Sequence, residues 1–310
     1  MMKSLRERLA LLPDVDVTAD EPMARHTTYK VGGPAGALVV AHTMAALQAT
    51  LSVLYSVGAP WFVLGNGSNV LVADRGFDGV VLMLGRGFGE VAVRRDARGA
   101  GAHTLEVGGA VSVTKLLRVA KAEKLAGVEQ LGGVPASMGG AVRMNAGTRA
   151  GDVAQSLLEA QIVVANAAPR WFPARDLGLA YRHSVLPVGA VVTGARFAVT
   201  DATDAMFAQL DEVLAYRKAT QPLQMPSCGS VFANPPGDAA GRLIEAAGLK
   251  GRKIGGAQVS EQHANWIVNT GDATAADVRA LIALCVAEVE ATAGVTLRPE
   301  VQLLGDWEVL

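Results

Sequence analysis

Leu64-Gly65-Asn66-Gly67-Ser68-Asn69-Val70-Leu71 and Gly132-Gly133-Val134-Pro135-Ala136-Ser137-Met138-Gly139-Gly140-Ala141 are the stretches whose reading decides the fold. Each sets glycines beside short polar side chains. Glycine lets backbone N–H groups approach phosphate oxygens with no Cβ in the way. A pyrophosphate is therefore the ligand these loops suit. A third glycine turn, Val31-Gly32-Gly33-Pro34, precedes them. A nucleotide site of the G-x-G-x-x-G kind would need a strand before it, a helix after it and an acidic residue about 20 positions on. Gly65-Asn66-Gly67 follows a short apolar run, Trp61 to Leu64, but no helical pattern follows. No G-x-x-x-x-G-K-[ST] occurs. One glycine loop alone reads as a surface turn; three with Asn and Ser among the glycines weaken that reading.

Outward from these loops the chain alternates short strands and helices irregularly. Gly36 to Ala41 reads as a strand. Thr43 caps a helix from Met44 to Val57, and Gly58 stands where it stops. Further strands are expected at Gly79 to Leu84, Leu105 to Val107, Leu158 to Val164 and Val191 to Val199. Ser112 caps a helix from Val113 to Leu125. Gly132 to Gly147 reads as a loop. Asp201 to Ala219 is a charged amphipathic helix and Leu243 to Ala247 is helical. Thr274 caps Ala275 to Thr292, Gly294 ends it, and Leu297 to Leu304 is the last strand. Many short strands in irregular alternation indicate an α+β fold rather than a doubly wound sheet. The expected segments are 1–82, 83–200 and 201–310.

Composition narrows the function. Of 310 residues half are hydrophobic and 18% charged, which excludes a disordered chain. The net charge of −1 and the absence of a basic run argue against nucleic acid as a partner. Two isolated cysteines, Cys228 and Cys285, fit a reducing compartment, so a cytoplasmic location is expected. No C-x-x-C or H-E-x-x-H occurs, and no metal site is expected. Val31 to Ala73 holds no Asp, Glu, Lys or Arg. Glycines, prolines and polar residues break that stretch well short of the ~20 apolar residues a membrane span requires. No membrane partner is expected.

An ordered set of motifs then carries a family resemblance. Leu64 to Leu71 is similar to the FAD pyrophosphate loop of the UDP-N-acetylenolpyruvoylglucosamine reductases. Gly127-Val128-Glu129, the Gly132 to Ala141 stretch and Met144-Asn145-Ala146-Gly147 resemble that family's second flavin segment, and Tyr29-Lys30-Val31-Gly32-Gly33 its opening motif. Tyr181-Arg182, Gln221-Pro222-Leu223, Ser227-Cys228-Gly229-Ser230-Val231-Phe232, His263-Ala264-Asn265-Trp266 and Arg298-Pro299-Glu300-Val301 resemble later motifs in the same order. The resemblance implies two small subdomains clasping FAD, of the fold shared with flavin oxidases, and a separate α+β substrate domain. The short spacing from Tyr181 to Gln221 places the chain with the type lacking an extra substrate-covering loop.

The resemblance also implies the chemistry: reduction of an enolpyruvyl double bond on a UDP-sugar, with FAD as cofactor and NADPH as hydride donor. The chain is expected to work as a monomer. Cofactor contacts are implied at Tyr29, Gly32, Gly33, Leu64, Gly65, Asn66, Gly67, Ser68, Asn69, Gly133, Val134, Pro135, Ser137, Gly139, Gly140, Asn145, Ala146 and Gly147. Ser230 is the implied proton donor. Arg182 is the cation for the substrate carboxylate, because its planar fork binds a carboxylate through two hydrogen bonds. Glu300 stabilises or protonates the enolic intermediate. Tyr181, Arg217, Lys218, Asn234 and His263 are expected at the substrate. Ala136 departs from the family's glycine and would be strained if its φ were positive. Another flavoenzyme of the same fold would account for the glycine loops but not for Arg182, Ser230 and Glu300 together. A non-catalytic binding module would have no use for Ser230 and Glu300.

Overall fold

The computed structural model describes residues 2–95, 102–165 and 167–307. The chain forms two compact units that interleave in sequence. The first comprises Met1–Ala19, Ala37–Asn66 and Gly79–Ala215; the second comprises Asp20–Gly36, Gly67–Asp78 and Tyr216–Leu310. These units differ from the contiguous segments expected from the sequence, because the second recruits two short pieces of the N-terminal third.

The first unit holds two cores. In one, strands Val15–Pro22, Pro34–Ala41, Phe77–Leu84 and Trp61–Val63 lie side by side in that order. The helix Met44–Val57 buries Ala46, Leu47, Thr50, Leu51 and Leu54, a helical spacing that makes one apolar face. Thr43 accepts a hydrogen bond from Ala46 N at 3.1 Å, and Gly58 closes the helix at φ 62°. The other core is roofed by an antiparallel sheet in the order Arg170–Pro173, Leu157–Val164, Ala190–Asp201, Ala102–Gly108, Val91–Arg94. Leu105, Val107, Leu116, Met138, Ala141, Ala160, Ala195 and Phe197 fill it, each at most 1% exposed.

The second unit is built on the helix Ala275–Ala293 and the three-stranded sheet Lys253–Ile254, Ala257–Val259, Ile267–Asn269. Its core takes Tyr29, Val31 and Leu71 from the early segments alongside Val231, Phe232, Ile244, Val278 and Leu281. Gln302–Leu304 pairs in parallel with Val70–Val72.

Several elements depart from the sequence reading. Met138–Arg143 is a short helix inside the expected glycine loop, started by Ser137, whose hydroxyl accepts from Gly140 N. The helix after Ser112 stops at Ala122, and Leu125–Ala126 becomes a strand. The charged helix begins at Asp204 because the strand before it runs to Asp201. The last strand is confined to Gln302–Leu304. Pro299 lacks the N–H a full ladder requires, and it forms only an isolated bridge to Phe232. No helix among the described residues is long and apolar enough to cross a membrane.

Candidate active site

Two of the glycine loops meet in the first unit. A Cβ on Gly65 would stand 2.2 Å from Ser137 Oγ, so any larger residue would have to displace the serine hydroxyl. Asn66 Nδ2 donates to the Pro135 carbonyl at 3.2 Å. Val134 and Ala146 pack on the adjoining core, while Gly133 and Pro135 are exposed. Ala136 is not among the residues with positive φ, so the alanine that departs from the family pattern sits unstrained. In the second unit Gly67 is buried and its carbonyl accepts from Thr28 N at 3.1 Å. Gly33 has a different reason to be glycine than expected. Its Cβ would lie 2.1 Å from Asp74 O, so the protein itself fills the space.

Three of the predicted cofactor side chains are buried. Tyr29 is wholly buried in the second unit's core, and Leu64 is 3% exposed. Asn145, 1% exposed, donates from Nδ2 to Asp152 Oδ2 (3.0 Å) and to the Ala180 carbonyl (2.9 Å), while its Oδ1 accepts from Ala154 N (3.0 Å). The Asn145 amide is thus fully engaged, whereas the buried Tyr29 hydroxyl has no hydrogen-bond partner among the described residues.

Asn145 instead fixes the turn that carries Tyr181 and Arg182. Ala180 and His183 bridge each other across that turn, and Arg182 takes φ 55°, a conformation uncommon outside glycine. Arg182 Nη2 donates to the Gly147 carbonyl at 2.9 Å, and its guanidinium lies 4.9 Å from the centre of the Tyr181 ring. The ring itself is half exposed at 48%.

Ser230 and Glu300 lie on or beside two paired segments of the second unit. Glu300 N donates to Val231 O at 2.8 Å, and Ala233 N donates to Arg298 O at 3.0 Å. This short antiparallel ladder sets Glu300 across from the residue next to Ser230. Asn69 Nδ2 donates to the Glu300 carbonyl at 3.0 Å, so the 67–69 loop grips the same segment. Ser230 is exposed and Glu300 half-buried. Behind them burial pushes the Cys228 thiol up to about 12, with the Glu300 carboxylate adding to the effect. Cys228 is thus an inert filler.

Arg217, Lys250 and His263 are electrostatic neighbours in the second unit. Burial holds His263 below the ordinary histidine value, and the charges of Lys250 and Arg217 lower it further. Burial alone lowers Arg217. Lys218 and Asn234 are exposed, and Asn234 Oδ1 caps the helix Ala240–Ala246 through Ala240 N at 3.0 Å. Lys250 had no sequence signal, since it sits in a surface turn with no motif around it.

The family models that match this chain are the FAD binding domain, over residues 35–170, and the UDP-N-acetylenolpyruvoylglucosamine reductase C-terminal domain, over residues 221–304. A UDP-N-acetylenolpyruvoylglucosamine reductase of Myxococcus xanthus is 44% identical over 306 residues, which are 98% of this chain and 97% of its own. The chain belongs to the UDP-N-acetylenolpyruvoylglucosamine reductase family. A relative from Halalkalibacterium halodurans is 40% identical over 308 residues, 98% of this chain and 100% of its own. The crystal structure of the Thermus caldophilus reductase matches with a TM-score of 0.78 at 36% identity, covering 94% of this chain and 98% of that one. Physcomitrella patens BBE-like 1, at 21% identity and a TM-score of 0.50, covers 64% of this chain and 44% of its own and shares the fold alone.

This reductase is therefore an FAD-dependent oxidoreductase of α+β fold. Its loops suit that cofactor. Residues 64–69 and 132–147 contain no Asp or Glu to repel a pyrophosphate. Gly65 and Gly133 expose backbone beside the short polar Asn66 and Ser137, which is the donor set a phosphate requires.

Proposed function

We propose that the chain reduces the enolpyruvyl double bond of UDP-N-acetylglucosamine enolpyruvate to the lactyl ether of UDP-N-acetylmuramate. NADPH is the source of hydride, and the reaction belongs to peptidoglycan precursor synthesis in the cytoplasm, carried out by a monomer. When bound, FAD supplies the hydride that the terminal carbon of the double bond receives. Arg182 takes the substrate carboxylate in its fork, where negative charge develops during reduction. The Ser230 hydroxyl gives a proton to the carbon next to that carboxylate and is reprotonated from solvent. Glu300 meets the same intermediate in its acid form, or through a water or Arg182, since a bare carboxylate there would repel the developing charge. Arg217, Lys218 and Asn234 contact the UDP portion, and Tyr181 and His263 lie at the substrate.

The observation that carries this assignment is the ladder tying Glu300 N to Val231 O at 2.8 Å, which supports a shared role for Ser230 and Glu300. Anaerobic stopped-flow separates the two half-reactions. Ser230→Ala is expected to leave flavin reduction by NADPH intact and to slow reoxidation by the enolpyruvyl substrate by about 10²–10⁴. Equal loss of both half-reactions would remove Ser230 from the proton-donor role. Wild-type flavin that NADPH reduces but the enolpyruvyl substrate cannot reoxidise would make the substrate wrong and leave the fold assignment standing.

A further inference from the structure

The segment His263-Ala264-Asn265-Trp266 holds a side chain that the reaction above does not use. Asn265 is 4% exposed. Its Oδ1 accepts from Phe232 N at 2.9 Å, and its Nδ2 donates to Phe232 O at 2.8 Å. Its own backbone carbonyl accepts from Val231 N at 2.8 Å. An amide that satisfies both backbone groups of one residue does what a neighbouring strand would do. The amide orientation is dictated by the site: turned over, it would set N–H against N–H and oxygen against oxygen.

On the opposite side of the same short segment, Val231 O accepts Glu300 N, and Ala233 N donates to Arg298 O. Residues 231–233 are thus held between Asn265 and the strand bearing Glu300. Ser230 comes just before them. The residue ahead of Ser230 is Gly229, at φ 80°, and no atom lies within 4 Å of where its Cβ would be. Ser230 therefore has a glycine hinge on one side and the clamped Val231–Phe232 pair on the other.

We infer that Asn265 is a positioning residue for the proton-donating serine. It fixes the Val231–Phe232 backbone so that Ser230 keeps its place beside Glu300. The inference rests on the assignment of Ser230 given above. Proton transfer is steeply sensitive to placement, and about 1 Å of displacement costs on the order of 10²-fold.

Asn265→Asp tests it. The replacement keeps the shape and the acceptor at Phe232 N but sets an oxygen against Phe232 O. The holoenzyme is expected to keep its FAD content and its rate of reduction by NADPH. Reoxidation by the enolpyruvyl UDP-sugar is expected to slow roughly ten- to a hundredfold, in kcat rather than KM. The double variant Ser230→Ala/Asn265→Asp should reoxidise no more slowly than Ser230→Ala alone, since there is no longer a hydroxyl to misplace. Multiplicative losses in the double variant, or an equal fall in both half-reactions of the single one, would overturn the inference. Normal reoxidation in Asn265→Asp with slow reoxidation in Ser230→Ala would overturn it while leaving the serine's role intact. Normal reoxidation in Ser230→Ala would end both. If Asn265→Asp does not fold, Asn265→Ser carries the same cycle.

Discussion

Cys228 and Cys285 illustrate how burial acts on single residues. Desolvation pushes both thiols up to about 12, and the same cause raises the Tyr29 hydroxyl well above its ordinary value. In the unfolded chain a cysteine ionises near ~8.5. Above that pH the unfolded state has lost protons that the folded state still holds, so stability falls as pH rises toward 12 and is fully present below about 8.5. Melting temperature measured from pH 8 to 11 should fall less steeply in Cys228→Ala/Cys285→Ala than in the wild type. Identical slopes would show that the thiols are not protected. At this scale the motif order offered Arg182, Ser230 and Glu300 as the candidate catalytic residues. The roles of Asn145 and Asn265 were hidden, because a buried amide is recognised only by the backbone groups it meets.

Elements were readable wherever a local signal sets their ends. Thr43, Ser112 and Thr274 each cap the helix that follows, and Gly58 and Gly294 close theirs in the left-handed region. The helix Ala275–Ala293 carries in addition a cap that comes from far away in sequence. Asp74 Oδ1 accepts from Ala275 N at 2.8 Å and Asp74 Oδ2 from Ala276 N at 2.9 Å. A carboxylate at a helix N-terminus satisfies open N–H groups and opposes the dipole. Asp74→Ala should destabilise the protein by about 1 kcal/mol in urea unfolding, and an unchanged midpoint would deny the cap any weight. Short strands such as Val91–Arg94, Arg170–Pro173 and Ala257–Val259 were not legible in the sequence. Their few residues have too little alternation to stand out, although each pairs with a strand close by in sequence.

The whole molecule sets limits on cutting it. The core of the second unit includes Tyr29, Val31 and Leu71, and strand Gln302–Leu304 pairs with Val70–Val72. A fragment of residues 216–310 would lack those side chains and that partner strand. It should show no dispersed amide spectrum or cooperative melt by itself, whereas a folded fragment would mean the early segments are dispensable. Local chemistry in the sequence determined the α+β class, the helix caps, the glycine loops free of acidic residues and the motif set of the family, because glycine geometry, capping and charge act over a few residues. Tertiary structure alone decided that Asp20–Gly36 and Gly67–Asp78 join the C-terminal unit. It also decided that Tyr29 and Asn145 face inward and that Glu300 pairs with Val231, the residue after Ser230. Those outcomes depend on which distant surfaces bury each other, and burial between segments as much as 240 residues apart leaves no periodic or local trace in the chain.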